Sequence, residues 1–365
     1  MLDENFFLKM FRRASGITPQ LSASFCFLFV LSACAAIRPT ADGQTLRQTG
    51  TFIQEVKTFG KSLGIEPTEA LSRTTEERPA LSMLWLWLQR DGTLALYAPI
   101  DIRMAIGFAN DKNQLQLEQV YRVAGYSVYY RQGNEFADER SVATVGFAAE
   151  GIVRRVTVIL HEDLHGDNNF DLPWEIEESI VTPLGVLAAV AFFREKGDEE
   201  NLKQARASLE EQRQYSRELN ALVEEAVKIL QSESPENAKR KILELMPGYP
   251  IYNRQFQRQI AGQHPPTVLE AKLSHDLAYY RYFDRIAALS EKAPDLKTLI
   301  ADLKKIPQDV TYGDLERHLQ QLDSQYAPAV RLSRAVLPST PERKEQRAKS
   351  EGKRLCPVLL DLCEL

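Results

Sequence analysis

The chain has 365 residues, 44% of them hydrophobic and 26% charged, enough to bury a real core as one large domain or two small ones. A formal net charge of -5 gives no electrostatic footprint for nucleic acid, so that class of partner is not expected. Cys26, Cys34, Cys356 and Cys363 all lie near the two ends, so the central part does not depend on a disulfide framework.

Lys9, Arg12 and Arg13 precede an apolar run, Leu21 to Ala33, that has the length of a signal peptide and is too short to cross a bilayer as a mature helix. Residues 1–33 are therefore expected to form an export signal. The run ends in Leu31-Ser32-Ala33-Cys34, which resembles the bacterial lipobox. The resemblance implies that Cys34 becomes the lipid-modified first residue, anchoring a folded domain to a membrane without spanning it. Neither Ala35 nor Ala36 is an aspartate, so the expected location is the bacterial cell envelope, facing the periplasm from the outer membrane. A polar tether over residues 34–51 should connect the anchor to a main domain over 52–334.

That domain is expected to open with a short helix around Phe52 to Leu63 and to continue as a β-rich region over residues 80–150. Leu84 to Leu88 and Thr93 to Tyr97 flank Arg90-Asp91-Gly92, and an Asp-Gly pair predicts a hairpin turn between two strands. Tyr126 to Tyr130 and Val142 to Phe147 are the next expected strands. The Trp and Tyr residues in these segments are expected in the core before they are expected to line a groove.

The apolar residues Val156, Val158, Ile159 and Leu160 run into His161-Glu162-Asp163-Leu164-His165, the pattern H-E-x-x-H. On a helix, positions i and i+4 share a face, so His161 and His165 can offer two ring nitrogens to one Zn2+. Glu162 would then stand beside the metal as a general base, taking a proton from an activated water and passing it to a leaving amine. A catalytic zinc needs a third protein ligand and an open position. Acids crowd the following segment: Asp171, Glu175, Glu177 and Glu178. Asp171 suits an N-cap and Pro173 a first turn, which predicts a second helix. Glu178 is the first choice for third ligand and Glu177 the second, with Glu175 also within the segment. Counting on from His161 gives a rival register, H-E-x-x-H-x-x-N-x-x-D, in which Asp171 is the ligand and Asn168 takes a left-handed turn position. The same glutamates also suit a helix N-terminus through its dipole alone.

From Thr182 onward the pattern is helical. Val181 to Phe193 is interrupted by Thr182, Pro183 and Gly185, and is expected as a buried core helix rather than a membrane span. Glu199 to Gln231 predicts a long helix with a solvated charged face. Loops are expected at Pro247-Gly248 and Gln263-His264-Pro265-Pro266, and residues 335–365 are expected to form a flexible tail.

Lipobox, H-E-x-x-H, acidic helix, long charged helices and the late segment Glu270 to Tyr280 together resemble a family of bacterial lipoproteins regarded as predicted aminopeptidases of gluzincin type. The chain departs from that family at Gly166 and in the short gap to the acidic helix. The resemblance implies an α+β, zincin-like fold with active-site helices over 151–195 and a helical part over 196–334. It implies His161, His165 and Glu178 as zinc ligands, Glu162 as base, and Tyr279 as donor to the oxyanion. The expected function is a membrane-tethered zinc metallopeptidase acting on peptide or protein substrates. An aminopeptidase also needs an anionic subsite for the substrate's amine, for which Glu175 or Glu177 is available. The alternative is a non-catalytic envelope lipoprotein whose helices serve as an interaction scaffold.

Overall fold

The structure, a computed structural model, describes residues 41–75, 83–108, 123–133, 142–166, 168–260 and 262–334. The expected signal, Cys34 and the C-terminal tail with Cys356 and Cys363 lie outside the described residues. The expected class holds: a small sheet region in the N-terminal part is followed by a helical C-terminal half, an α+β arrangement.

Helix α1 covers Ala41–Ser62. It corrects the expected boundary, because residues 41–51 are helical rather than a tether. Leu46, Thr49, Ile53 and Val56 recur at helical spacing and are all buried, so packing extends the helix through a polar sequence. Strand β1 (Arg73–Thr75) pairs in parallel with β5 (Val142–Thr144). The strand expected over 142–147 stops at Thr144, whose hydroxyl accepts from the Phe147 amide (3.0 Å) and caps the short helix α2 (Val145–Ala149).

The second sheet is antiparallel, in the order β3 (Ile102–Phe108), β2 (Met83–Arg90), β4 (Tyr126–Gly133). Trp87 stands opposite both Arg103 and Tyr129, so Trp85, Trp87, Arg103 and Tyr129 share one face, while Leu84, Leu86, Leu88, Val128 and Tyr130 are buried on the other. The predicted hairpin is not formed. Gly92 does turn the chain, with φ +76°, but Thr93 to Tyr97 is not a strand. Its backbone is bound by helix α8 (Pro265–Tyr280) and the residue after it: Gly92 N donates to Glu270 Oε1 (3.2 Å), Ala95 N to Ser274 Oγ (3.1 Å), and Arg281 Nη1 to the Leu96 carbonyl (2.6 Å). Side chains of the helical half thus satisfy groups that a ladder would otherwise need.

Among the described residues the remaining helices are α3 (Ile152–Leu164), α4 (Trp174–Lys196), α5 (Glu199–Ser232), α6 (Pro235–Leu245), α7 (Pro250–Gln259), α9 (Phe283–Lys292), α10 (Leu296–Leu303) and α11 (Tyr312–Arg334). The loops expected at Pro247-Gly248 and at His264 are a 3-10 turn and the start of α8. By length and composition α4 could cross a membrane, yet 83% of its apolar window is buried inside the fold, as expected of a core helix.

Helix α8 packs against the sheet, α4 and α5, and every residue from Val268 to Ala278 is buried. Its charges are paired within the core. Lys272 forms an ion pair with Asp276, Tyr215 and Tyr252 each donate a hydroxyl to Asp276 Oδ2 (2.9 Å), and His275 Nδ1 lies 3.0 Å from Asp276 Oδ1. Burial by itself would raise the Asp276 pKa, but Lys272 and His275 outweigh it and hold the carboxyl below its usual range. Burial pushes His275 down to about 4, against a partial opposing pull from Asp276, so the folded protein keeps this imidazole neutral. An unfolded chain binds a proton there near pH 6.5, so stability is lost as pH falls from about 6.5 to about 4. In urea titrations across this window, His275→Gln should flatten the pH dependence by about 3 kcal/mol.

Candidate metal centre

Val156, Ile159, Leu160 and Leu164 bury one side of α3 completely, which fixes the helix's rotation and turns His161 toward α4. His165 follows as the C-cap, and Gly166 takes a left-handed φ of +108°. The turn then closes on itself: Phe170 N donates to the Leu164 carbonyl (3.2 Å), and Gly166 N to the Phe170 carbonyl (3.0 Å). Asn169 clamps it from outside, donating to the Glu66 and Asp163 carbonyls (2.8 and 2.6 Å) and accepting from Glu66 N and Lys304 Nζ (2.9 and 2.7 Å).

Two local expectations are corrected here. The left-handed residue is Gly166, not Asn168, since only glycine carries that conformation without a Cβ clash. Asp171 does not cap α4, which starts at Trp174 behind Pro173 without a side-chain cap; its carboxylate accepts from Gln308 Nε2 (2.8 Å) at the surface. The rival register with Asp171 as ligand is therefore not assembled.

His161, His165 and Glu178 come together, with one donor atom from each lying within 4.8 Å of the others, and the group could hold a metal ion. His161 Nε2 and His165 Nε2 are 3.2 Å apart, and Glu178 Oε2 lies 3.5 and 3.8 Å from them. The other side of each ligand is engaged. His165 Nδ1 hydrogen-bonds Glu177 Oε1, the His161 ring meets the Val181 backbone, and Trp174 Nε1 donates to Glu178 Oε1 (3.1 Å). Glu177 is itself held by the Leu172 amide on Oε2 (2.9 Å). These contacts favour the tautomers that leave both Nε2 lone pairs facing Glu178.

Glu178 Oε2 is buried without a hydrogen-bond partner, which a carboxylate tolerates poorly unless a cation sits against it. Three convergent lone-pair donors of nitrogen and oxygen type, one of them an orphan, are what a divalent cation satisfies. Electrostatics agree. Burial raises the Glu178 pKa against the pull of His165 and Arg103, and lowers His161 well below its ordinary value. For His165 burial acts downward too, but Glu177 and Glu178 overcome it and push the ring up to about 9. A positive charge is thus favoured between the rings and the acids.

Glu162 is 6% exposed and acts electrostatically on both His165 and Tyr279. Asp163, the adjacent acid, holds helices together instead, pairing with Lys57 and accepting from Thr68 N and Oγ1 (3.0 and 2.9 Å), which ties α1 to α3. Tyr279 packs against the Trp174 ring (5.8 Å) and the His275 ring (5.0 Å). Its pKa is raised by burial first and then by Glu178, so the phenol keeps its proton. Glu175 stays outside the cluster and accepts from Ile100 N (3.2 Å). A cleft of about 1010 Å3, lined by Val128, Tyr130, Lys239 and Leu243 among others, belongs to the other face of the sheet and contains none of the three cluster residues.

No protein-family model, curated protein or solved structure matches this chain.

Two positions matter that the sequence pattern did not single out as part of a site. Gly185 faces His161, where an added Cβ would lie 3.0 Å from the His161 Cβ and 3.2 Å from its Cα. A mid-helix glycine costs about 1 kcal/mol relative to alanine, so its presence inside an apolar helix was the available signal for a close approach. Arg103 is the other: its guanidinium lies 3.9 Å from the Trp174 ring centre and 4.6 Å from that of Trp85. Gly185→Ala should push α3 off α4 and weaken metal binding about tenfold or more, read by competition with a chromophoric chelator. Glu177→Gln, which loosens His165 without touching the donor set, should cost about 10–100-fold in the same assay.

Proposed function

We propose that this protein is a membrane-tethered, zinc-dependent hydrolase of peptide bonds, held to the bacterial envelope through lipid on Cys34. The observation that carries the hydrolase reading is the buried, partnerless Glu178 Oε2 facing two imidazole Nε2 atoms, with Glu162 beside them. Two histidines and one carboxylate form a donor set suited to zinc, and three protein ligands would leave room for a water or a substrate oxygen. The resemblance to lipoproteins regarded as predicted aminopeptidases supports the same reading.

Bound there, zinc would polarise the scissile carbonyl and bring the pKa of a water toward about 7. Glu162 takes the proton from the water as its oxygen bonds to the carbonyl carbon, and returns it to the nitrogen as the carbon–nitrogen bond breaks. The Tyr279 hydroxyl, which makes no hydrogen bond among the described residues and stays protonated, is available to donate to the carbonyl oxygen as negative charge builds on it. Glu177 and Trp174 keep His165 and Glu178 in place. Of the two acids available for a substrate amine, Glu177 is committed to His165 and the Leu172 amide, which leaves Glu175.

Elemental analysis of the zinc-reconstituted protein should find about one zinc per chain, lost in the His161→Ala/His165→Ala double variant. Glu162→Gln should retain the zinc while hydrolysis of a peptide library falls about 10²–10⁴-fold. A folded, reconstituted protein without metal would sink the reading.

A further inference from the structure

Two of the three tryptophans of the chain, Trp85 and Trp174, hold one cation between them beside the His161, His165 and Glu178 cluster, and the third, Trp87, packs on Trp85. Arg103 projects from β3, and its guanidinium lies within cation–π distance of both the Trp85 and the Trp174 rings. Trp174 also donates to Glu178, so a single indole connects the guanidinium to a member of the cluster. Arg103 forms no hydrogen bond or ion pair with the described residues, although it lies close enough to Glu178, Glu175 and Tyr279 for their charges to act on it. The residue remains exposed. Aromatic contacts hold the cation in place while its N–H groups stay available, and a planar fork of that kind matches a carboxylate with two parallel hydrogen bonds.

We propose that Arg103 is a carboxylate-binding subsite, which selects substrates carrying a free carboxylate close to the bond placed at His161, His165 and Glu178. Its part in substrate selection rests on the hydrolase reading; the binding of a carboxylate does not. The favoured source is a peptide C-terminus. Glu175, the acid left for a substrate amine, already accepts from the Ile100 amide, whereas the guanidinium makes no hydrogen bond to the described residues that a ligand would have to displace. The subsite therefore favours removal of residues from a carboxyl end, or cleavage of short free-acid peptides, over an aminopeptidase specificity.

The test is a binding titration on the full chain carrying Glu162→Gln, so that turnover is not needed, with quenching of the three tryptophans as readout. Acetyl-trialanine, its C-terminal amide, and an amidated acetyl-Ala-Asp-Ala are the probes. The free acid is expected to bind about 10–100-fold more tightly than the amide. Arg103→Met should erase that preference, and Arg103→Lys, which keeps charge without the fork, should retain only part of it. An Arg103-dependent gain for the aspartyl amide would support the subsite and move its source to an acidic side chain. Equal binding of the three probes, including no binding of any, overturns the proposal, as does a preference that survives in Arg103→Met. Should the Met variant not fold, an undiminished preference in Arg103→Lys overturns it instead. The two readings separate cleanly. Acid preference without peptide cleavage by the zinc-loaded native chain removes the hydrolase and leaves the subsite; cleavage of acid and amide peptides at equal kcat/KM removes the subsite and leaves the hydrolase.

Discussion

The close approach of α3 to α4 at His161 and Gly185 is the contact on which the centre depends. The absent side chain of Gly185 lets the backbone of one helix meet the backbone of the other, with only 3.2 Å between an ideal Cβ and the His161 Cα. Any larger residue would separate the helices, and Glu178, two turns before Gly185 on the same helix, would leave reach of both imidazoles. The turn between the helices is equally constrained. Gly166 supplies a left-handed step in it, and Asn169 ties it to the segment after α1 and to α10 through Lys304. The donor set is thus held by a glycine contact, a glycine turn and an amide clamp, each acting on backbone rather than on the ligands.

Around the cluster the acids divide the work by environment rather than by type. Glu178 meets the two ring nitrogens with an oxygen that has no hydrogen-bond partner; Glu177, one residue earlier, turns to the far nitrogen of His165. That separation follows from helix geometry, since consecutive residues lie about 100° apart. Asp163 is committed to Lys57, and Asp171 to Gln308. A second polar network lies next door in α8, where Lys272 and Asp276 neutralise one another inside the core and the neutral His275 ring hydrogen-bonds the carboxylate. Tyr279 connects the two regions, packing on His275 from one turn along α8 and on Trp174 across from it. The orientation of the phenol therefore depends on a buried charge network that takes no part in the proposed chemistry itself.

The legible parts of the chain were those governed by local periodicity. The spacing of Leu219, Leu222, Val223, Ala226, Ile229 and Leu230 marked the core face of α5; the first four are buried, and Ile229 and Leu230 are half-buried against the same core. Alternation in Leu84 to Leu88 marked β2 correctly. Failures came where distant side chains replaced a local partner. Thr93 to Tyr97 alternates like a strand, but Ser274 and Arg281, 179 and 185 residues away from their partners, take its backbone groups, and Glu270 takes the amide of Gly92 just before it. Ala41 to Thr51 is polar enough to pass for a tether, and becomes helix because a few buried positions find a core. Asp171 resembled an N-cap by sequence offset alone, and a surface amide near α11 claims it instead.

What the sequence determined by itself is the pairing of His161 with His165, with Glu162 between them, because a regular helix repeats every 3.6 residues whatever surrounds it. It also narrowed the third donor to a few acids on the following segment. Which acid turns inward depended on the rotation of α4 against α3, set by Gly185 and by the apolar residues that bury both helices, and no spacing rule contains that angle. The placement of Arg103 was beyond sequence altogether. It lies 71 residues before Trp174, and only the docking of the sheet's tryptophan face near the start of α4 brings that cation to the His161, His165 and Glu178 cluster.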